Sequence, residues 1–249
     1  MSEIKAQIMD IMVSAQGEGP WVGHRQLFLR FFGCNLHCSY CDTPASQSEQ
    51  PGPCQIERQP GSAVFDYLPN PLSVTHLAAQ IRPLLNRSLH SISLTGGEPL
   101  LHVPFIRELA DVLGAERPLF YLETNGTLVD ALKEVLPVID FISMDLKMPS
   151  HCTGLLWEYH SRFLRVAAQK PGYVKTVVLP STTHDDIEQA ARLVKAEASH
   201  YPLILQPVSD KRGIPLVPGN RLLEFQDAAM VWHQDVRVIP QTHKWLEIL

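Results

Sequence analysis

Residues 27–44 read LFLRFFGCNLHCSYCDTP, an apolar strand-like run that leads directly into three cysteines. Cys34, Cys38 and Cys41 have the spacing C-x3-C-x2-C, and no fourth thiol follows at zinc-finger spacing. Three thiolates leave a tetrahedral zinc ion or a four-iron cluster one ligand short, so an iron site would stay open to a small molecule. The cysteines alone also allow a zinc knuckle completed by His37 or a distant ligand, a thioredoxin-like redox pair, or buried core cysteines.

The composition is that of an ordinary globular protein. The chain has 249 residues, of which 45% are hydrophobic, enough for a substantial core. Its 21 basic and 26 acidic residues give a net charge of −5, which argues against a broad surface for nucleic acid or anionic lipid. No apolar run approaches the roughly 18 to 20 residues of a membrane span, and the N-terminus lacks a signal pattern. We therefore expect a cytoplasmic protein with no nucleic-acid or membrane partner, in which clustered thiols hold a metal or do redox chemistry.

Apolar, β-rich runs alternate with helical patterns from residue 74 onward. The predicted strands are Ser91–Thr95, Leu119–Glu123, Phe141–Asp145, Val174–Leu179, Leu203–Gln206 and Val236–Ile239. The predicted helices lie at about 74–86, 102–114, 127–136, 156–168, 184–198 and 220–232. With Leu27–Phe31 added, these elements make about six βα steps, which imply parallel strand pairing and right-handed crossovers.

Periodicity does not distinguish an open doubly wound sheet from a full or partial barrel. The unusual residues are more informative, because nearly all of them directly follow a predicted strand. GGEP, TNG and PVSD, for example, follow the strands that begin at Ser91, Leu119 and Leu203. Polar residues gathered at one edge of a parallel sheet are typical of a barrel-type active-site face. We therefore predict an α/β barrel-type domain over residues 1–249.

Two segments lie outside this repeat. Residues 5–26 are predicted to form a strand or hairpin that precedes it. Residues 43–73 contain six prolines and no clean period, so we predict an inserted loop that is lid-like or disordered in part. Cys54, within this insertion, and Cys152 are predicted to be ordinary thiols, with Cys54 also considered as an extra ligand.

Two motifs resemble those of the radical S-adenosylmethionine (SAM) enzymes. One is C-x3-C-x2-C with Tyr40 just before the last cysteine, and the other is Thr95-Gly96-Gly97-Glu98-Pro99, which resembles the GGEP motif of that family. The resemblance implies a modified partial (β/α)6-type barrel with an inserted loop after the cluster motif. It also implies a [4Fe-4S] cluster on the three cysteines, with SAM chelating the fourth iron. In this motif two glycines allow close backbone approach, and the carboxylate can pair with an ammonium group.

Three further segments resemble one branch of this family, the 7-carboxy-7-deazaguanine synthases. They are Ala15-Gln16-Gly17-Glu18-Gly19 ahead of Arg30, Asp42-Thr43 directly after the last cysteine, and Gln241-Thr242-His243-Lys244-Trp245. The resemblance implies conversion of 6-carboxy-5,6,7,8-tetrahydropterin to 7-carboxy-7-deazaguanine, with loss of ammonia and assistance from Mg2+, in deazapurine (queuosine) biosynthesis. It also implies a homodimer and an electron donor such as flavodoxin or ferredoxin.

Two alternatives remain at this point. The first is another radical SAM enzyme, such as a glycyl-radical activase, which leaves QGEG, the DT pair and QTHKW unexplained. The second is a non-catalytic iron–sulfur or zinc protein, which predicts four protein ligands.

The resemblance assigns roles to individual residues. For the substrate it implies Ala15, Gln16, Gly17, Glu18, Arg30, Thr95, His243 and the terminal Leu249. For SAM it implies Tyr40, Gly97, Glu98, Ser143, Asp145, Lys147, Gln206, Pro207, Val208 and Ser209. Residues 143–147 depart from the Ser-Pro-Lys that family members often show, which leaves the alignment open by two residues there. Cys34, Cys38 and Cys41 would hold the cluster and Thr43 the Mg2+, while the radical itself would be carried by the cofactor and by no protein residue.

Overall fold

The computed structural model describes residues 3–48, 50–150, 156–246 and 248. The strands in these residues are β1 (Lys5–Ala6), β2 (Ile8–Ala15), β3 (Arg25–Phe31), β4 (Cys54–Glu57), β5 (Phe65–Leu68), β6 (Leu72–Ser73), β7 (Ser91–Gly96), β8 (Leu119–Thr124), β9 (Phe141–Asp145), β10 (Gly172–Val178), β11 (Leu203–Pro207) and β12 (Val236–Val238). The helices are α1 (Val74–Ile81), α2 (Val103–Leu113), α3 (Val129–Val135), α4 (Trp157–Ala167), α5 (His184–Glu197), α6 (Gly219–Met230) and α7 (Thr242–Trp245).

One large sheet organises the chain. Its strand order is β12-β11-β10-β9-β8-β7-β3-β2-β4-β5. The strands from β3 through β7 to β12 are parallel to one another, and each of the helices α1 to α6 connects one of them to the next. In the described residues no ladder joins β12 to the other edge of the sheet. The architecture is therefore a partial (β/α)6-type barrel, as predicted.

The predicted elements are all present, with small differences at their ends. The clearest difference is the helix predicted at 74–86, which ends at Ile81 and continues as a 3-10 turn over Arg82–Leu84. Pro83 lies in this turn and has no N–H to donate to a helical carbonyl, which explains the early end. Helix α5 begins where its sequence predicts, because Thr183 and Asp186 form a reciprocal capping box.

The prediction that residues 43–73 form a lid-like or partly disordered loop is wrong. Within the described part of 43–73, β4 pairs parallel with β2 and antiparallel with β5, so the segment extends the sheet and is not a lid-like or disordered loop. The prolines that hid this pattern flank the strands, where a missing N–H costs no ladder hydrogen bond. Cys54 lies fully buried in β4, and burial raises the pKa of its thiol to about 12, so it behaves as a core residue.

The helices cover the outside of the sheet with apolar faces. In α2, for instance, Phe105, Ile106 and Leu109 are at most 1% exposed. Burial of such a side chain stabilises a fold by about 1.5–3 kcal/mol. In the part of the chain that the structure describes, we find no helix with both the length and the hydrophobicity needed to cross a bilayer.

The inner side of the barrel is closed at one end by aromatic residues. The hydroxyls of Tyr121 (β8) and Tyr173 (β10) lie 2.7 Å apart, and both rings are buried against Ile204 with Trp21 and Phe141 beside them. Side chains two positions apart on a strand share a face. The residues two positions after the tyrosines therefore point into the barrel one layer higher, at the carboxyl ends of the strands.

Candidate active site

A cavity of about 370 Å3 lies at the carboxyl ends of the parallel strands. Its lining includes these residues singled out from the sequence: Ala15, Gln16, Gly17, Glu18, Arg30, Cys34, Cys38, Tyr40, Cys41, Thr43, Thr95, Gly97, Ser143, Asp145, Lys147, Gln206, Val208, Ser209 and His243. The structure does not bring Glu98 or Pro207 to this wall. Leu249 lies outside the described residues, as does Cys152.

The three clustered cysteines border the cavity on one side. All three are half-buried, and burial raises the pKa values of Cys34 and Cys41. Among the described residues, no three His, Cys, Asp or Glu side chains converge on a single metal position. A four-iron cluster does not require such convergence, because each of its cysteines binds a different iron. The donor set therefore fits a [4Fe-4S] cluster.

The zinc-knuckle alternative finds less support in the surroundings of the cysteines. His37 is the one residue named as its possible fourth ligand, and that ring does not line the cavity. The Nδ1 atom of His37 lies 2.8 Å from Oε1 of Gln47 instead.

The GGEP turn packs directly against the cysteine loop. A Cβ atom on Gly97 would lie 1.9 Å from the carbonyl oxygen of Gly33, so only glycine fits there. The next backbone N–H, from Glu98, donates to that same oxygen at 2.8 Å. Gly97 therefore allows the GGEP turn and the cysteine loop to pack together, in addition to allowing a ligand to approach the backbone.

The Glu98 carboxylate points into the protein. It is fully buried and accepts hydrogen bonds from the N–H of Leu100 (3.1 Å), the hydroxyl of Thr124 (2.8 Å) and the N–H of Asn125 (2.8 Å). Burial raises the pKa of Glu98 to about 7, against the effect of these donors. This carboxylate joins the GGEP turn to the end of β8.

A second wall of the cavity contains a buried ion pair. Glu18 pairs with Lys175 and also accepts hydrogen bonds from Nε2 of Gln206 (3.0 Å) and Nε2 of Gln241 (2.8 Å). Burial alone would raise the pKa of Glu18, but the Lys175 ammonium and these donors bring it to about 2. Sequence reasoning did not single out Lys175; its signal was a charge within the apolar run VKTVVL.

Glu123 is a second residue of the cavity wall that sequence reasoning missed. Its carboxylate accepts hydrogen bonds from Nε2 of Gln16 (2.9 Å), the hydroxyl of Ser93 (2.9 Å) and the hydroxyl of Thr95 (3.1 Å). Gln16 also donates to Gln26, which fixes the side-chain amide. The signal was the acidic end of the predicted strand LFYLE, directly before TNG.

Arg30 and Thr43 lie next to each other at the edge of the cysteine loop. Nε of Arg30 donates to both carboxylate oxygens of Asp10 at 3.0 and 3.1 Å, and Nη1 donates to the Thr43 hydroxyl at 3.4 Å. The Thr43 hydroxyl in turn donates to Oδ1 of Asp42 at 3.1 Å. An arginine, a hydroxyl and a carboxylate are therefore clustered where the cysteine loop ends.

The C-terminal helix closes the wall beside Gly17. The N–H of Thr242 donates to the Gly17 carbonyl at 2.9 Å, and a Cβ on Gly17 would lie 2.1 Å from Nδ1 of His243. Burial lowers the pKa of His243, so its ring is mainly neutral near pH 7. Nε1 of Trp245 donates to the carbonyl of Gly213 at 2.6 Å and fixes the far end of the helix.

The floor between these sides carries a lysine and several acceptors. Nζ of Lys147 donates to Oδ2 of Asp145 at 2.8 Å and lies 5.0 Å from the centre of the Tyr40 ring. Oδ1 of Asp145 and Oε1 of Gln206 are buried and have no hydrogen-bond partner in the described residues. Buried acceptors of this kind are normally satisfied, so they suit a ligand that brings donors.

Known proteins resemble this chain over most of its length. Residues 29–194 match the family model described as the radical SAM superfamily. A 7-carboxy-7-deazaguanine synthase from Geobacter sulfurreducens is 41% identical over 254 residues, covering 99% of each chain. One from Methanothermobacter thermautotrophicus is 34% identical over 264 residues, covering 98% of each. The crystal structure of QueE from Escherichia coli superposes with a TM-score of 0.61 at 22% identity, covering 96% of this chain and 95% of that one, which supports the fold.

Proposed function

The chain belongs to the 7-carboxy-7-deazaguanine synthase family of radical SAM enzymes, and we propose that its cavity converts 6-carboxy-5,6,7,8-tetrahydropterin to 7-carboxy-7-deazaguanine with release of ammonia. One observation carries this proposal. Residues near both ends of the chain, Gln16, Glu18 and His243, meet the cysteine loop in a single cavity. A glycyl-radical activase or a non-catalytic iron–sulfur protein gives no reason for such a polar wall.

Cys34, Cys38 and Cys41 would hold the [4Fe-4S] cluster and leave its fourth iron open. When bound, the reduced cluster and SAM would supply the radical chemistry for hydrogen abstraction at C6 of the pterin, with SAM regenerated. The chain's part is to hold both molecules in place and to keep the reaction away from water.

SAM would occupy the side of the cavity next to the cysteines and the floor. Asp145 and Gln206 offer unpartnered buried acceptors there, which match the ammonium group of its methionine part. Gly97 lines this side next to the cysteine loop, and Tyr40, Ser143, Lys147, Val208 and Ser209 complete the lining. Glu98 does not line the cavity and would contribute indirectly, by holding the GGEP turn in place.

The pterin would occupy the charged side. Its guanidine-like edge offers N–H donors, which the carboxylates of Glu18 and Glu123 on the cavity wall would accept. Arg30 suits the substrate carboxylate, because a guanidinium can bind it through two parallel hydrogen bonds. The neutral His243 ring has one donating and one accepting nitrogen, as the amide-like edge of a pterin requires. Ala15, Gln16, Gly17 and Thr95 line the same side.

Mg2+ would bind at Thr43. The Thr43 hydroxyl lies on the cavity wall between Asp42 and Arg30, where the substrate carboxylate is expected. Mg2+ keeps several waters and commonly takes one or two protein oxygens together with substrate oxygens, so a single hydroxyl is a sufficient protein ligand.

Two partners follow from the chemistry and the family. Reduction of the cluster requires a one-electron donor of low potential, and we propose flavodoxin or ferredoxin. We also propose a homodimer, which sedimentation equilibrium would test. A purely monomeric protein at micromolar concentration would refute the dimer without affecting the reaction.

The central test is reconstitution. The protein would be loaded anaerobically with iron and sulfide and incubated with dithionite, SAM, Mg2+ and the carboxytetrahydropterin. We expect 7-carboxy-7-deazaguanine, identified by mass spectrometry. SAM cleavage without this product would overturn the substrate assignment and keep the enzyme class. Cys38→Ala should abolish both product and cleavage; persistent cleavage would show that the cluster has been assigned to the wrong residues.

A further inference from the structure

The TNG turn after β8 has no role in the function proposed above, yet it contacts the cysteine loop. We infer that Asn125 is a positioning residue that holds Cys34 and donates a hydrogen bond to its sulfur, which raises the reduction potential of the cluster. The side chain of Asn125 is buried at the end of β8, with Nδ2 2.9 Å from Oδ1 of Asn35 and 3.9 Å from Sγ of Cys34. The inference rests on the proposed function, because it requires a cluster on Cys34.

The orientation of the Asn125 amide is fixed by its neighbours. Its Oδ1 lies 3.2 Å from the backbone nitrogen of Thr127, which can only donate, so oxygen and not nitrogen must face that side. The Thr127 hydroxyl donates to the same oxygen at 2.6 Å and accepts from Nδ2 of Asn35 at 2.9 Å. These bonds form a closed ring of three side chains. Both N–H groups of the Asn125 amide are therefore directed toward the cysteine loop.

The backbone of Asn125 is held as firmly as its side chain. Its N–H donates to Oε2 of the buried Glu98 at 2.8 Å, and Glu98 is joined to Gly33 through its own N–H. Gly33 directly precedes Cys34. The cysteine loop is thus held from the GGEP turn on one side and from the TNG turn on the other.

A donor on a thiolate ligand changes the energy of the two redox states by different amounts. The reduced cluster carries one more negative charge, and an N–H directed at a ligand sulfur stabilises that charge. Loss of the donor should therefore make the cluster harder to reduce. Asn125 also lines the cavity, so the effect on the cluster is measured in the absence of SAM and substrate.

The test is an EPR-monitored redox titration of the reconstituted protein without SAM or substrate. At the midpoint potential of the unmodified protein, Asn125→Leu should show a reduced-to-oxidised ratio about tenfold lower, which for one electron corresponds to a midpoint about 59 mV more negative. Asn86→Leu, at an exposed turn far from the cysteines, serves as the matched control and should leave the midpoint unchanged.

Each outcome distinguishes this inference from the proposed function. An unchanged midpoint in Asn125→Leu, with a normal cluster signal, overturns the role of Asn125 and leaves the reaction standing. Failure of the unmodified protein to bind a cluster overturns the proposed function instead. If Asn125→Leu does not bind a cluster, Thr127→Val decides the question. It removes the hydroxyl that orients the amide but keeps the donor, so a smaller shift in the same direction is expected, and no shift refutes the inference.

Discussion

The two sides of the cavity are built from different interactions. On the cysteine side, close backbone packing at Gly97, the Asn125 amide and the buried carboxyl group of Glu98 hold the loop. On the substrate side, ionised groups hold one another, and the central pair is Glu18 with Lys175. A close backbone contact is disrupted when a side-chain atom is added to it. A buried ion pair is disrupted when one of its charges is removed or neutralised by a change in pH. The two sides should therefore respond to different perturbations.

Gly97→Ala is expected to have the largest effect and to act on the cysteine side alone. The added Cβ would lie 1.9 Å from the carbonyl oxygen of Gly33, and a backbone oxygen cannot rotate away as a side chain can. We expect a loss of cluster binding of more than tenfold, measured as iron and sulfide per protein, and destabilisation by about 3 kcal/mol in urea titrations.

The matched control for this change is Gly52→Ala. A Cβ on Gly52 would meet no atom of the described residues within 4 Å, so the variant should keep its cluster and its stability. Normal cluster content in Gly97→Ala would show that the cysteine loop tolerates displacement of the GGEP turn.

Lys175→Met should have the next largest effect, on the substrate side. It leaves the Glu18 carboxylate buried without its cation, which typically costs about 3–5 kcal/mol. Lys133→Met is the control, because it breaks an exposed pair with Asp130 of a kind worth about 0–1 kcal/mol. The free energies of unfolding of both variants would be measured by urea denaturation at pH 7. A loss below about 1 kcal/mol in Lys175→Met would mean that Gln206 and Gln241 satisfy Glu18 alone.

The same variant gives a pH dependence with a definite sign. In the unmodified protein the pKa of Glu18 is lowered to about 2, below the ordinary value of about 4.3, so the stability it contributes is present above pH 4.3 and is lost as pH falls toward 2. Without Lys175, burial should raise that pKa, and protonation of Glu18 then removes the unpaired charge. The stability difference between the two proteins should therefore shrink between pH 7 and pH 3. A constant difference over this range would exclude Glu18 as the cause.

The sequence alone predicted the order and type of the elements well. Strands followed by polar residues alternate with helical patterns, and this local alternation indicated the parallel barrel. The β4–β5 hairpin was missed because prolines flank each strand and because β4 pairs with β2, more than forty positions earlier in the chain. Such a pairing depends on a free sheet edge, which no local pattern reveals.

The site residues show the same difference between local patterns, which were predicted, and long-range contacts, which were missed. Motif residues that would contact ligands were found, but the residues that hold them were not, because Lys175 and Glu123 act through partners distant in sequence. The position of Glu98 is the clearest case. Its motif predicts a carboxylate at the ligand, while the fold directs it toward Thr124 and Asn125, so that it supports the turn. Sequence gives the residue type, and the direction of the side chain depends on tertiary packing.

Gly17→Ala tests the substrate side without removing a charge. The added Cβ would displace His243, but this clash is with a side chain at the end of the chain, so the helix Thr242–Trp245 can shift outward. We expect KM for the pterin to rise about tenfold, equivalent to about 1.4 kcal/mol of lost binding, with cluster content unchanged. Loss of the cluster in this variant would contradict the separation of the two sides.

Thr43→Ala is expected to have the smallest effect, because Thr43 lies where the two sides meet. Its hydroxyl bonds to Arg30 and Asp42, and neither bond holds the cysteines themselves. The iron–sulfur absorption should stay unchanged, while stimulation of turnover by Mg2+ should fall severalfold, since Mg2+ would keep only water and substrate oxygens as ligands. A Mg2+ titration of product formation measures this directly. An unchanged Mg2+ response would assign the ion to another oxygen, and Asp42, the carboxylate that accepts from Thr43, would be the next residue to substitute.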